Sequence, residues 1–229
     1  MRTKPWPAIT LLIAAPLLMN LAFTGLGVSF DYPDVLHLPA TEALAKFRAE
    51  QTTVVALFTL LAAAACAFAP LAVLVGKLDD APTMRWAVRV GIAAAIVQTV
   101  GLLRWPLLVP RLADRVATEG PGSPAIDTFE TANTVLGTVI GETAGYTLTA
   151  LWTVLVVRAL RDRVPRWFAV LGYLGAAAVA TGVLVPLGVE AAGLTNFLGY
   201  LLWSGWLLAF AALLIRYPVR PSLVASHGS

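Results

Sequence analysis

Histidine and cysteine are nearly absent from this chain. The two histidines, His37 and His227, both fall outside the long apolar runs, so a His-rich metal site or axial haem ligation within those runs is excluded. The single cysteine, Cys66, sits among alanines; it rules out an intrachain disulfide and reads as a small hydrophobe. Charge is equally scarce, with 13% of residues charged where a soluble domain carries about a quarter. No Walker or dinucleotide glycine pattern occurs, paired carboxylates are missing, and the intramembrane Ser204 has no histidine or lysine in its own or neighbouring runs to act as a base. The excess of positive charge, +3, lies between the runs and not on a soluble face interleaved with aromatics, which argues against nucleic acid as a partner.

What the chain has in abundance is hydrocarbon. Of its 229 residues 59% are hydrophobic and the mean hydropathy is +0.80. A bilayer core of about 30 Å needs roughly 20 apolar residues per helix. Six stretches meet that need: Trp6 to Phe30, Thr52 to Val75, Trp86 to Val109, Thr134 to Val157, Trp167 to Val189 and Phe197 to Ile215. The connections are too short for a separate soluble domain, so the sequence predicts a single all-α, six-helix membrane domain in residues 1–229, with a flexible cytoplasmic tail over 217–229. The first run is longer than the 7 to 15 residues of a signal-peptide core and is read as a span. Most of the sixteen Lys and Arg fall on the side of both termini. Because such residues are retained in the cytoplasm, an N-in, C-in topology follows.

The two long connections, between spans one and two and between spans three and four, are then external. In the first, Thr41 is placed to cap a short amphipathic helix beginning at Glu42. In the second, Ser123 with Pro124 has the N-cap and first-turn pattern of a helix running through Phe129 into span four. Pro16, Pro70, Pro106 and Pro186 lie within spans, where each removes a backbone hydrogen bond and can kink its helix.

Span four carries the most pattern. Gly137, Gly141 and Gly145 recur every fourth residue, a spacing that lets another helix approach to backbone contact, and this predicts a central helix. At helical steps of three and four, Thr134, Thr138, Glu142, Tyr146, Thr149 and Thr153 form a polar stripe that must face protein or water. Away from the span ends, Glu142 and Arg104 of span three are the two full charges inside the six spans, Arg89 lying within a turn of the start of span three. Depth counting at 1.5 Å per residue puts both in the outer half. Two readings follow: a buried ion pair that orients spans three and four, or a site in which Arg104 recognises an anionic group and Glu142 accepts a proton or a cation. Arg104 could also snorkel outward beside Trp105. Asn133, Asn196 and Glu190 stand near the outer ends and Asn20 and Gln98 deeper, as interhelical hydrogen-bonding residues or contributors to such a site. The candidate ligand set is Arg104, Glu142, Tyr146, Thr138, Asn133 and Asn196, with no catalytic residue, metal or cofactor assigned.

Several segments together resemble a bacterial family of integral membrane proteins catalogued as domain of unknown function 4386. They are Phe30 to Leu36, Lys46-Phe47-Arg48, Leu103-Arg104-Trp105-Pro106, Phe129-Glu130 with Asn133, Gly141-Glu142 with Gly145-Tyr146, and Asn196 to Trp203. The resemblance covers the six-span region almost end to end and implies a bacterial inner-membrane protein; it carries over no functional residue. The function classes that remain are a module that binds or senses a small anionic ligand or lipid, acting through a membrane-protein partner, and a proton- or cation-coupled carrier using Glu142. A lipid-modifying enzyme lacks an identifiable nucleophile, base or metal set.

Overall fold

In a bilayer, every backbone N–H and C=O must be satisfied within the chain, and apolar runs of this length meet that demand by coiling. The computed structural model, which describes residues 4–216, contains six helices long and apolar enough to cross a membrane. The expected 217–229 tail, with His227, lies outside the described residues. The spans are built on α1 (Trp6–Phe30), α3 (Gln51–Gly76), α4 (Pro82–Leu107), α7 (Gly145–Leu160), which completes a continuous run from Pro124, α8 (Arg166–Ala180), whose span continues to Leu187, and α9 (Glu190–Arg216). Three shorter helices, α2 (Ala40–Ala49), α5 (Val109–Glu119) and α6 (Pro124–Ala132), belong to the two long connections.

The spans pack in chain order: α1 on α3, α3 on α4, α4 on α7, α7 on α8, α8 on α9, and α9 back on α1. Two aromatic cores result. One, beside the long connections, is built on Trp105, whose ring stacks on Phe58 at 4.7 Å with Phe30, Phe47 and Phe129 around it. Helices α2, α5 and α6 pack on one another, and Phe47, Leu112 and Phe129 join this core. The second gathers Phe68, Trp152, Trp203, Trp206, Phe168 and Phe210 toward the other end. At that end Trp6, Trp86 and Trp167 are exposed at the starts of α1, α4 and α8, the arrangement of an interfacial aromatic belt. Arg89 lies 5.0 Å from the ring of Trp86.

Four expectations need correction. Thr41 does not cap α2; the helix starts at Ala40 after Pro39, whose carbonyl accepts from the Glu42 and Ala43 N–H groups. Span five is not α-helical to its end: Thr181–Leu187, with Pro186 inside, tightens into 3-10 turns, and a left-handed Gly188 (φ 79°) ends them. Span six begins at Glu190, earlier than the apolar run alone suggests. The largest difference is in span four, where Asn133–Ala144 winds as a π-helix between α6 and α7. Glycine suits the wide turn, since a Cβ on Gly141 would stand only 3.0 Å from the Leu136 carbonyl oxygen. Ser123 caps α6 as expected, its Oγ accepting from the Ala125 N–H at 3.2 Å.

Candidate functional site

The glycines of span four meet α4 one after another. Gly101 of α4 lies on Gly141, so that a Cβ on Gly101 would fall 2.6 Å from the Gly141 Cα. One step toward the second core, Gly145 faces the Gln98 side chain, with the Cγ 2.8 Å from an added Cβ. One step the other way, Gly137 lies against the Arg104 guanidinium, whose Nη2 and Cζ would be 2.7 and 2.8 Å from a Cβ. The small residues that bring α4 close thus also make the seat for its charge.

Arg104 is 6% exposed. It does not snorkel, because Trp105 beside it is itself buried in the first aromatic core. Its Nε–H donates to Asn133 Oδ1 at 3.0 Å and its Nη1–H to the Gly101 carbonyl at 2.7 Å, and the guanidinium lies 5.3 Å from the Trp105 ring. These acceptors are neutral. None of the ion pairs among the described residues involves Arg104 or Glu142, so the direct buried ion pair is not formed. The π-helix accounts for this: at more than four residues per turn it rotates the side chains of span four away from the faces an α-helical count assigns.

Glu142 is partly exposed. It lies within electrostatic range of Arg104, and the phenols of Tyr32, Tyr146 and Tyr200 share its surroundings. Tyr32 and His37 come from the first long connection. A left-handed Asp31 (φ 52°) and a cis Tyr32–Pro33 peptide turn the chain back there, and the Tyr32 ring packs on Phe58 and Phe23. Sequence reasoning missed this contribution, since nothing in the spacing of Phe30 to His37 says that the connection folds inward.

The other candidate residues divide. Asn133 is a partner of Arg104. Thr138 is half-buried on the π-helix, and Thr134 is exposed, so the polar stripe does not run as one line. Its inner half does: Thr149 accepts from Gln98 Nε2 at 3.0 Å, and Thr153 accepts from the Trp203 Nε1–H at 2.8 Å. The Tyr146 ring meets Tyr200 at 5.8 Å and leans into the space left by Gly182, where a Cβ would be 2.3 Å from its Cδ2. Asn196 stands at the same glycine and donates to the Val179 carbonyl at 2.6 Å; it is a second donor to a carbonyl that already accepts a backbone N–H where α8 ends. Deeper still, Asn20 donates to Ser204 Oγ at 3.0 Å, tying α1 to α9.

Two surface grooves lie away from this cluster. One runs between α2 and α5 past Leu44, Arg48 and Val116; the other follows α6 past Asp127 and Thr131. A protein-family model described as Domain of unknown function (DUF4386) matches residues 9–211. No curated protein and no solved structure is significantly similar to the chain.

Proposed function

Since the chain belongs to the family described as Domain of unknown function (DUF4386), over a match reaching from its first span into its last, we propose that it is a bacterial plasma-membrane protein that binds a small anionic ligand at Arg104. In this reading both termini are cytoplasmic, as the distribution of Lys and Arg favours. The site then opens in the outer half of the bundle, and occupancy is passed on through assembly with another membrane protein.

One observation carries the reading. Arg104 is buried and charged, yet its hydrogen-bond acceptors, Asn133 and the Gly101 carbonyl, are both neutral. An arginine costs roughly 2.5–3.5 kcal/mol at the centre of a membrane helix on insertion scales and less toward the end, where Arg104 stands in the last turn of α4. A chain that needed only packing here would place an apolar residue. An anionic group against the free edge of the guanidinium offsets that cost, and Thr138 and Tyr146 on the facing helix offer hydroxyls to the rest of the ligand.

The test is thermal unfolding in mild detergent against phosphate, small carboxylates and phosphatidylglycerol. A ligand at a hundred times its Kd raises Tm by roughly 5–10 °C, and Arg104→Gln removes the rise. If no anion in the panel shifts Tm, or if the shift survives Arg104→Gln, the reading fails. The carrier alternative rests on a different observation: Glu142 makes no ion pair among the described residues, which leaves its carboxylate available to a coupling proton or cation. It predicts solute uptake in proteoliposomes that Glu142→Gln abolishes.

A further inference from the structure

Two glycines on different helices receive a tryptophan in the same way. On α4, Gly91 lies beneath the indole of Trp152 from α7, where an added Cβ would stand 2.9 Å from Nε1. On α8, Gly172 lies beneath Trp206 from α9, with Nε1 at 2.8 Å. A small side chain of the preceding span closes the other side of each glycine: Ala72 Cβ at 2.5 Å for Gly91 and Val157 Cγ2 at 2.6 Å for Gly172. Both indole N–H groups are buried and make no hydrogen bond.

The correspondence continues through the sequence. Arg85, Trp86, Gly91 and Gly101 recur at identical spacing as Arg166, Trp167, Gly172 and Gly182, and Gly145, Tyr146 and Trp152 recur as Gly199, Tyr200 and Trp206. Packing follows the same register. Gly145 rests on Gln98, and Gly199 rests on the backbone of Ala178 and Val179; Gln98 and Val179 are equivalent positions. Helices α5 and α6 are extra length inserted in the first hairpin between its two spans. Both hairpins run in the same direction through the bundle, as parallel repeats do. Under this register the counterpart of Glu142 is Asn196.

We infer that α4 with α7 and α8 with α9 are two copies of one helical hairpin, and that Glu142 is a proton-binding site built on the position that Asn196 holds in the second copy. Asn196 shows what that position does when it is permanently neutral: its amide donates to the Val179 carbonyl and locks the two helices together. The equivalent carbonyl in the first copy is that of Gln98. A carboxylate only accepts hydrogen bonds and cannot make this contact, whereas a protonated carboxyl donates and can. The structure holds the first copy unlocked. Asn196 sits against Gly182, but the π winding puts Gly141, not Glu142, against Gly101.

A proton taken up from water on the Glu142 carboxylate therefore creates the donor that completes the first lock. Arg104 on α4 and the exposed His37 in the α1–α2 connection are the cationic and titratable groups within electrostatic range of it, with the phenols of Tyr32, Tyr146 on its own span and Tyr200 on α9. This proton site is independent of anion binding at Arg104 and stands even if no anion binds there.

Infrared spectroscopy of the full chain in nanodiscs, titrated from neutral to acid pH, tests it directly. A protonated-carboxyl C=O band that grows with acid and vanishes in Glu142→Gln is expected. Because the lock forms only with the proton bound, wild-type Tm falls as pH rises through the titration, by about 2–6 °C for one interhelical hydrogen bond. Glu142→Gln, a donor at every pH, holds the acid-side Tm throughout, and Glu142→Asp keeps the pH dependence. The inference is overturned if no carboxyl band depends on residue 142, or if Glu142→Gln unfolds at lower temperature than wild type at every pH. Should Glu142→Gln fail to fold, the wild-type band and its change of frequency in Glu142→Asp decide the matter.

Discussion

The guanidinium of Arg104 lies flat on the backbone of Gly137, so close that a single added methyl group would come within 2.7 Å of Nη2. The charge and the glycine are one feature: span four has no side chain at that point because span three has a large one. Gly137→Ala must push the guanidinium off Asn133, at the 1–3 kcal/mol typical of overpacking a filled site. Truncating the arginine removes the conflict, so Gly137→Ala should cost less than half as much in an Arg104→Ala background. A double-mutant cycle on unfolding in mild detergent measures the coupling.

Gly91 and Gly172 each carry an indole, and their substitutions should behave alike. Gly91→Ala and Gly172→Ala are both expected to destabilise by about 1–3 kcal/mol. Gly193, in α9, has nothing within 4 Å of an added Cβ, so Gly193→Ala should be neutral or stabilising by up to about 1 kcal/mol through helix propensity. Denaturation of the three variants side by side separates close packing from propensity.

Asn196→Leu keeps the branched outline of the side chain and removes the donor to the Val179 carbonyl. The expected loss is about 0.6–2 kcal/mol, the range for a hydrogen bond between membrane helices. Hydrogen exchange should rise first in Thr181–Leu187, the segment that the bond adjoins.

Two carboxylates outside the apolar core should differ in weight. Asp79, with its side chain 8% exposed, pairs with Arg163 at 2.8 Å and accepts from the Ala81 N–H at 2.7 Å. Asp79→Ala is expected to cost about 1–3 kcal/mol. Asp31 pairs with Lys46 in the open, and Asp31→Asn, which suits its left-handed backbone equally well, should cost less than about 1 kcal/mol. Raising the salt concentration should shrink the second effect more than the first.

The proposed topology is open to chemical labelling. Gly122 lies in the second long connection with nothing within 4 Å of a Cβ, and Arg161 is well exposed at the opposite end. In a Cys66→Ala background, Gly122→Cys should react with a membrane-impermeant maleimide in intact cells, and Arg161→Cys only after lysis. The reverse pattern would invert the molecule.

The spans were legible because transfer of apolar residues from water depends on composition and length, not on partners. The glycine face of span four was legible for a related reason: the absence of a Cβ is a property of the chain itself, and Gly101 on Gly141 is its direct outcome. Glu142 was placed by assuming 3.6 residues per turn, and the π winding of Asn133–Ala144 breaks that assumption. Nothing local marks it, since it answers to the close approach of α4. The packing of Tyr32 on Phe23 and Phe58 escaped notice likewise, because a connection is placed by what it packs on. Ser123 was read correctly and Thr41 was not. Pro124 fixes the first helical turn after Ser123, whereas Pro39 holds the N-cap position two residues before Thr41.

The sequential ring of spans also governs how the molecule is made. As the chain emerges, each helix finds its neighbour already inserted, so five of the six seams can zip shut during synthesis. The seam between α1 and α9 cannot, and α1 must wait with one flank open to lipid until the last span arrives. Asn20 spends that interval without Ser204, its partner across the seam. The bond between them is therefore the last latch to engage, and a chain truncated before Ser204 is left as an open arc.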